Sequence, residues 1–191
     1  MRPPAAYAPE FPTPQMKNHI LLCAVGSDRP EILKRVTRRV LDTGCNVDES
    51  RMASLGREIA MMFLVSGTWD AIAKLEAALP RVAEEDGIEF VARRTEARDL
   101  DGGFLPYAVE VIAADKPGIV HHLVEFFSAR GILIDNFAST RYTASQTGTD
   151  MFSAHLAVSI PSDLHIAALR DEFMEFCDGL NLDAIIEPIK N

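Results

Sequence analysis

Hydrophobic positions along the chain switch between two spacings, and the whole alternation occurs twice. His19 to Val25 is a short apolar run of the kind a buried strand gives, broken by Gly26-Ser27-Asp28-Arg29-Pro30. From Pro30 the apolar residues Ile32, Leu33, Val36 and Val40 recur on one helix face. Asp28 or Ser27 is placed to cap this helix, Pro30 falls in the first turn where a missing N–H costs nothing, and Gly44 ends it. Asn46 to Ser54 and Glu58 to Val65 predict two strands around a hairpin turn at Leu55-Gly56-Arg57. A helix from about Trp69 to Leu79 follows, with Ile72, Leu75 and Leu79 inward and Pro80 near its end. Ile88, Phe90 and Ala92 then alternate as a last strand.

The second half repeats this β-α-β-β-α-β order. Tyr107 to Ala113 reads as a strand, and Ile119, Leu123, Phe126 and Phe127 mark a helix that Gly131 closes. Ile132 to Tyr142 and Met151 to Ile160 pair as strands across a polar connection, Thr143 to Thr149. Ile166, Leu169, Phe173 and Phe176 give the next helix, and Leu182, Ala184 and Ile186 the last strand. The expected fold class is α+β: two ferredoxin-like βαββαβ domains, residues 19–92 and 106–191, each an antiparallel sheet with both helices on one face. The polar stretch 93–105, with Asp101-Gly102-Gly103, is the expected linker, and 1–18, with five prolines, a flexible leader. The other face or an edge of each sheet is then free to meet the sister domain or another chain.

The letters repeat as well as the pattern. Ser27-Asp28-Arg29-Pro30-Glu31-Ile32 returns as Ala114-Asp115-Lys116-Pro117-Gly118-Ile119, and Gly44-Cys45-Asn46-Val47-Asp48 as Gly131-Ile132-Leu133-Ile134-Asp135, both 87 residues on. One supersecondary plan therefore serves both halves of the 191 residues. Each half is small for an independent core, so docking the halves together or onto a second chain would bury more apolar surface.

The net charge of −9 disfavours direct nucleic-acid binding, whose affinity comes largely from Lys and Arg on phosphates. Lys34, Arg35, Arg38 and Arg39 cluster on one predicted helix; a solvated helix face accounts for them more simply than an acidic protein partner. Cys23, Cys45 and Cys177 are odd in number and lack CxxC spacing, as buried reduced thiols of a cytoplasmic protein would be. No apolar run reaches membrane-spanning length, and the opening residues lack the apolar core of a signal peptide.

Candidate chemistry gathers at the strand-to-helix turns. The first N–H groups of a helix have no internal partner and the dipole favours negative charge, so a carboxylate fits there. In Asp115-Lys116-Pro117-Gly118-Ile119, Gly118 lets a ligand approach the backbone, and Asp115 is placed both to cap the helix and to accept from an ammonium group. Such a pair suits a zwitterion, a free amino acid, better than a phosphate. In Asp28-Arg29-Pro30, Glu31 stands where the second half has Gly118 and adds bulk and negative charge, while Asn46 keeps a polar side chain in reach of a ligand where the second half has Leu133. Neither half carries the full set, and a plain helix start accounts for either turn at least as well.

These residues resemble the ACT domain, a regulatory module that commonly binds amino acids. The first half is closer still to one family: Ser27-Asp28-Arg29-Pro30, Gly44-Cys45-Asn46-Val47, Ser50-Arg51-Met52-Ala53, Leu55-Gly56 with Glu58, and Leu64-Val65-Ser66-Gly67-Thr68-Trp69 are similar to the glycine cleavage system transcriptional repressor family. The likeness over 106–188 is to ACT domains in general. The resemblance implies regulation without catalysis or cofactor: an amino-acid signal, glycine or similar, and a protein partner, either a transcription factor or a metabolic enzyme. It also implies ligands held between domains and a homodimer with side-by-side sheets. The family's turn has Gly where this chain has Glu31.

Two other classes compete. For an enzyme, His121 and His122 are adjacent on a helix and diverge, His155 alternates with apolar residues on a strand, and no Ser/His/Asp or Cys/His arrangement, HExxH or phosphate loop is legible. Glu84-Glu85-Asp86 reads as a solvated helix end rather than a metal site. A ligand-free module that only mediates oligomerisation is the other alternative, in which Asp115 and Gly118 matter for folding alone.

Overall fold

The computed structural model describes residues 18–96 and 103–189. The chain divides into two compact units, one up to Arg98 and one from Asp99. The Pro-rich leader before Asn18 and the Asp101-Gly102 pair lie outside the described residues.

In the first unit, β1 (Asn18–Ser27), α1 (Pro30–Asp42), β2 (Asn46–Leu55), β3 (Glu58–Gly67), α2 (Trp69–Asp86) and β4 (Ile88–Thr95) follow in order. The strands form one antiparallel sheet ordered β2-β3-β1-β4. Successive side chains of a strand point to opposite faces, and on β1 every second residue, Ile20, Leu22 and Ala24, is fully buried. They meet Ile32, Val36 and Val40 of α1 and Ile72, Leu75 and Leu79 of α2. Both helices therefore cover one face of the sheet.

The second unit repeats the plan: β5 (Phe104–Ala114), α3 (Ile119–Ser128), β6 (Leu133–Thr143), β7 (Asp150–Pro161), α4 (Ile166–Leu180) and β8 (Asp183–Pro188), with sheet order β6-β7-β5-β8. Val109, Val111 and Ala113 of β5 pack under the helices, where Phe126, Phe127 and Phe173 form an aromatic cluster with centroids 5.2–5.3 Å apart. Such ring pairs add about 0.5–1.5 kcal/mol each beyond their buried area. Both units are βαββαβ and ferredoxin-like, as the spacings imply.

Several local expectations are corrected. The second helix does not stop near Leu79 but continues through Pro80 to Asp86, capped by Thr68, whose hydroxyl accepts from the Ala71 N–H, and by Gly87 at φ 63°. Pro80 lies on the exposed face, and the buried stripe carries on through Val82 and Asp86, so continued burial outweighs one lost N–H. Asp86 is consequently no solvated helix end. It is buried and paired with the Arg35 guanidinium. Neither Asp28 nor Ser27 caps α1: the cap position is Arg29, without a side-chain bond, and Pro30 is the first helical residue. β4 continues to Thr95 and β5 begins at Phe104, so both sheets reach into the stretch read as linker.

Each sheet also contains one irregularity at the same point of the repeat. The β2–β3 register skips Asp48, between Val47 and Glu49, and the β6–β7 register skips Asp135, between Ile134 and Asn136. One residue bulges out of each ladder.

Candidate functional site

The two strand-to-helix turns match in letters and differ in backbone. In the first unit the chain turns straight from β1 into α1, with Arg29 extended at φ −134° and Pro30 already helical. In the second unit α3 starts two residues later on the repeat, at Ile119, because Pro117 stays outside the helix and Gly118 occupies its cap position at φ 96°, ψ −10°. That left-handed conformation is open to glycine and strained for any L residue. Glu31, at the matching place, is part of α1 instead. The side on which Gly118 would carry a Cβ faces the His122 ring at 3.5 Å. His122 makes the first bond of the helix, its N–H donating to the Gly118 carbonyl at 3.0 Å, so the N–H groups of Ile119, Val120 and His121 precede the ladder and point out of its start.

Asp115 does not cap α3, which has no side-chain cap. Its N–H donates to the Asp150 carbonyl at 2.9 Å, and its carboxylate lies 3.0 Å from the Arg141 Nε. Arg141 also donates to Asp150, which takes a second bond from the Thr143 hydroxyl at 3.1 Å. The guanidinium and then the hydroxyl hold the Asp150 carboxyl below the usual aspartate range. Asp115 is thus half-buried and already charge-paired. Lys116 and Pro117 are exposed.

In the first unit, the Asp28 N–H donates to the Arg57 carbonyl at 2.9 Å. Arg29 reaches across to the Asp86 backbone carbonyl at 2.6 Å, and Arg35 holds the Asp86 side chain. Glu31, Arg29 and Arg35 line a cavity of about 60 Å³ here. The wider groove of about 400 Å³ between α1 and α2 is lined by Lys34, Arg35, Arg38 and Arg39 and by as many acids. Arg38 is paired with Asp42 at 2.8 Å. The basic cluster is therefore largely neutralised within its own unit.

Asn46 is not brought to the Asp28-Arg29-Pro30 turn of its own domain. It pairs with Ser66 at the far end of the sheet, where β1 starts, whereas the turn leaves the other end of that ten-residue strand. There it donates to Asp48 at 2.8 Å. The buried Ser66 hydroxyl donates to the same carboxylate oxygen at 3.0 Å, and His19 approaches its other oxygen at 3.5 Å. This His/Asp/Ser constellation was not legible in the sequence. Its order is wrong for nucleophilic catalysis, since the serine proton is directed to the aspartate and not to the imidazole. In the second unit Ser159 donates to Asp135 at 2.5 Å, with Pro106 and Leu133 in the places of His19 and Asn46.

The remaining histidines are peripheral: His121 and His122 lie 3.8 and 4.0 Å from Glu125 on the outside of α3, His155 lies 3.7 Å from Glu110, and His165 caps α4 by accepting from the Ala168 N–H at 3.2 Å. Among the described residues no three His, Cys, Asp or Glu side chains converge as a metal site, and no helix is long and apolar enough to cross a membrane.

A duplicated βαββαβ unit with an Asp-x-Pro turn at each first helix makes this a protein of two ferredoxin-like domains. Residues 18–93 match the ACT domain family. The glycine cleavage system transcriptional repressor of Escherichia coli (strain K12) is 29% identical over 173 residues, 91% of each chain, and that of Shigella flexneri equally so. A crystal structure of a protein proposed to be a glycine cleavage system transcriptional repressor superposes with a TM-score of 0.71 at 28% identity, over 92% of this chain and 99% of the other. An unknown protein from Galdieria sulphuraria shares the fold, with a TM-score of 0.74 at 24% identity over 91% and 99%. Residues 18–93 are thus an ACT domain, the second unit repeats its fold, and the chain as a whole resembles the glycine cleavage system transcriptional repressors.

Proposed function

We propose that this chain is a non-enzymatic cytoplasmic regulator that senses a small amino acid, glycine or one like it, and modulates transcription through a partner protein, acting as a homodimer. The observation that carries the sensing role is the second-domain turn. Gly118 leaves the start of α3 bare, with N–H groups suited to a carboxylate, and the Asp115 carboxylate, suited to an ammonium group, stands three residues before it. Lys116, Pro117 and Ile119 frame that approach. In the first domain Asp28, Arg29 and Pro30 offer a turn without the bare glycine. Asn46 lies at the opposite end of its own sheet from that turn, where it donates to Asp48. Regulation of transcription through a partner, rather than through DNA directly, is supported by the net charge of −9 and by the repressors that the chain resembles.

Calorimetric titration of the full chain with glycine, serine and a panel of other amino acids tests this. Saturable binding of a small amino acid, weakened in Asp115→Asn, is the expected result. Gly118→Glu is a poorer probe, because at φ 96° any side chain strains the backbone before it blocks a ligand. The pairing of Asp115 with Arg141 favours a second reading, a ligand-free interaction module. A folded protein that binds nothing in the panel would leave that one standing.

A further inference from the structure

The open face of the first sheet is apolar along its middle and oppositely charged at its two edges, at one level along the strands. Glu49 of β2 pairs with Leu64 of β3, Leu64 with Leu21 of β1, and Leu21 with Arg93 of β4. Directly paired residues share a face, and this one lies opposite the buried Ile20, Leu22 and Ala24. One transverse row therefore runs acid, leucine, leucine, base, the acid lying 2.6 Å from Arg51 of the next row within its own copy. The next row is Arg51, Met62, Cys23, Val91, and the one after is Ala53, Ala60, Val25, Glu89. No element of the first unit covers them among the described residues: Leu21, Val25, Met62 and Val91 are 37%, 47%, 48% and 67% exposed.

Such a row is complementary to itself. A two-fold axis parallel to the strands, between β1 and β3, lays β2 of one copy over β4 of the other. Glu49 then faces Arg93 of the second copy, twice per dimer, with Leu21 and Leu64 stacked between. Arg51 faces Val91, with the second copy's Glu89 about 7 Å further along the strand, within reach of a guanidinium. Stacked sheets sit about 10 Å apart at about −30°, a gap that Glu and Arg side chains span from both sides. In the second sheet the corresponding row is Asn136, Ala157, Ala108 and Glu187, with no base. That row of the second sheet therefore has no acid-to-base pair across its edges.

We propose that this face is an isologous dimer interface, taking a second copy of the chain sheet to sheet. The proposal rests on the homodimer reading and places the contact on the sheet faces, in place of the side-by-side arrangement that the family resemblance implies. Four strands and the eight residues of β4 mark out roughly 19 by 27 Å, about 500 Å² per copy, so a dimer buries the ~1,000 Å² that a specific interface needs.

Sedimentation of the full chain, alone and in mixtures, tests it. Wild type is expected to be dimeric. Glu49→Arg sets two bases face to face and Arg93→Glu two acids, and each is expected to weaken dimerisation at least about tenfold. An equimolar mixture of the two variants restores both attractive pairs and is expected to sediment as a heterodimer, which misfolded chains would not form. Cys23, in the covered row, is expected to label with a thiol reagent faster in Glu49→Arg than in wild type. A monomeric wild type would overturn both the interface and the homodimer. A dimeric wild type whose two variants stay equally dimeric, or fail to recover on mixing, would overturn the interface only.

Discussion

The Ser66 hydroxyl donates to the Asp48 carboxylate across 3.0 Å, and the same bond recurs in the second domain between Ser159 and Asp135. In each sheet the aspartate is the residue that bulges out of the edge strand, and the serine, 2% and 7% exposed, sits on the neighbouring strand. The duplication has thus kept a backbone irregularity together with the bond that fixes it. The bulge shifts the register so that Glu49 and Arg51 fall on the open face beyond it. Asp48→Ala leaves a buried hydroxyl without this acceptor and is expected to destabilise the first domain by about 1–3 kcal/mol. In denaturant melts the double variant Asp48→Ala with Ser66→Ala should lose less than the two single losses added. Strict additivity would mean that the bond does not hold the bulge.

Asp86 ties the two helices of the first domain together, its side chain to Arg35 and its carbonyl to Arg29. The carboxylate is 8% exposed and Arg35 57%, so the arginine is partly solvated while its partner is not. Removing the arginine strands a buried charge. Arg35→Ala is expected to cost about 1–2 kcal/mol, less than for a fully buried pair. Arg38→Ala, whose partner Asp42 is exposed on the same helix, should cost less than about 0.5 kcal/mol. Urea midpoints of the two variants compare them directly, and equal losses would remove Asp86 from the account.

The alternation Ile20, Leu22, Ala24 and the stripe Ile32, Val36, Val40 were legible in the sequence because strand and helix periods are local properties of a half-buried element. The end of α2 was not, since Pro80 removes one helix bond wherever it faces, and whether the helix continues depends on the burial of Val82 and Asp86 beyond it, which the sheet beneath decides. The two turns were legible as turns, yet their different backbones hang on one position, Glu31 against Gly118, whose effect is a dihedral and not a pattern. The bulges were visible only as a repeated aspartate, because their serine partners lie 18 and 24 residues away. Asn46 was grouped with the Asp28 turn on the strength of the repeat, and only strand direction reveals that a whole strand separates them.

Cys177 is fully buried on α4, and burial, with a smaller contribution from Asp178, pushes its thiol from 9.0 up to about 12. The thiol of the unfolded chain ionises near 9.0 while the folded one stays protonated, so between those values unfolding releases a proton. The stability this group provides is complete below pH 9 and is lost as pH rises towards 12, with a slope of up to about 1.4 kcal/mol per pH unit. Thermal melts from pH 8 to 11 should fall more steeply for wild type than for Cys177→Ala. Parallel slopes would show that the thiol ionises alike in both states.

Arg141 decides how the second-domain turn answers both acid and ligand. Its guanidinium, with the Thr143 hydroxyl, depresses the Asp150 carboxyl below its ordinary 3.8. A depressed carboxyl stabilises the fold above its unfolded value, and that contribution is lost as pH falls through the lower folded value. Below about pH 4, melts of Arg141→Ala should therefore depend less on pH than those of wild type. The same substitution frees Asp115, which Arg141 otherwise holds at 3.0 Å. If an amino acid places its ammonium group on Asp115, Arg141 competes with it, and Arg141→Ala should tighten binding of glycine or whichever member of the panel titrates. Binding lost in Arg141→Ala would put the ligand's carboxylate on the guanidinium instead of at the start of α3. Unchanged binding in both Arg141→Ala and Asp115→Asn would remove the second-domain turn from ligand recognition altogether.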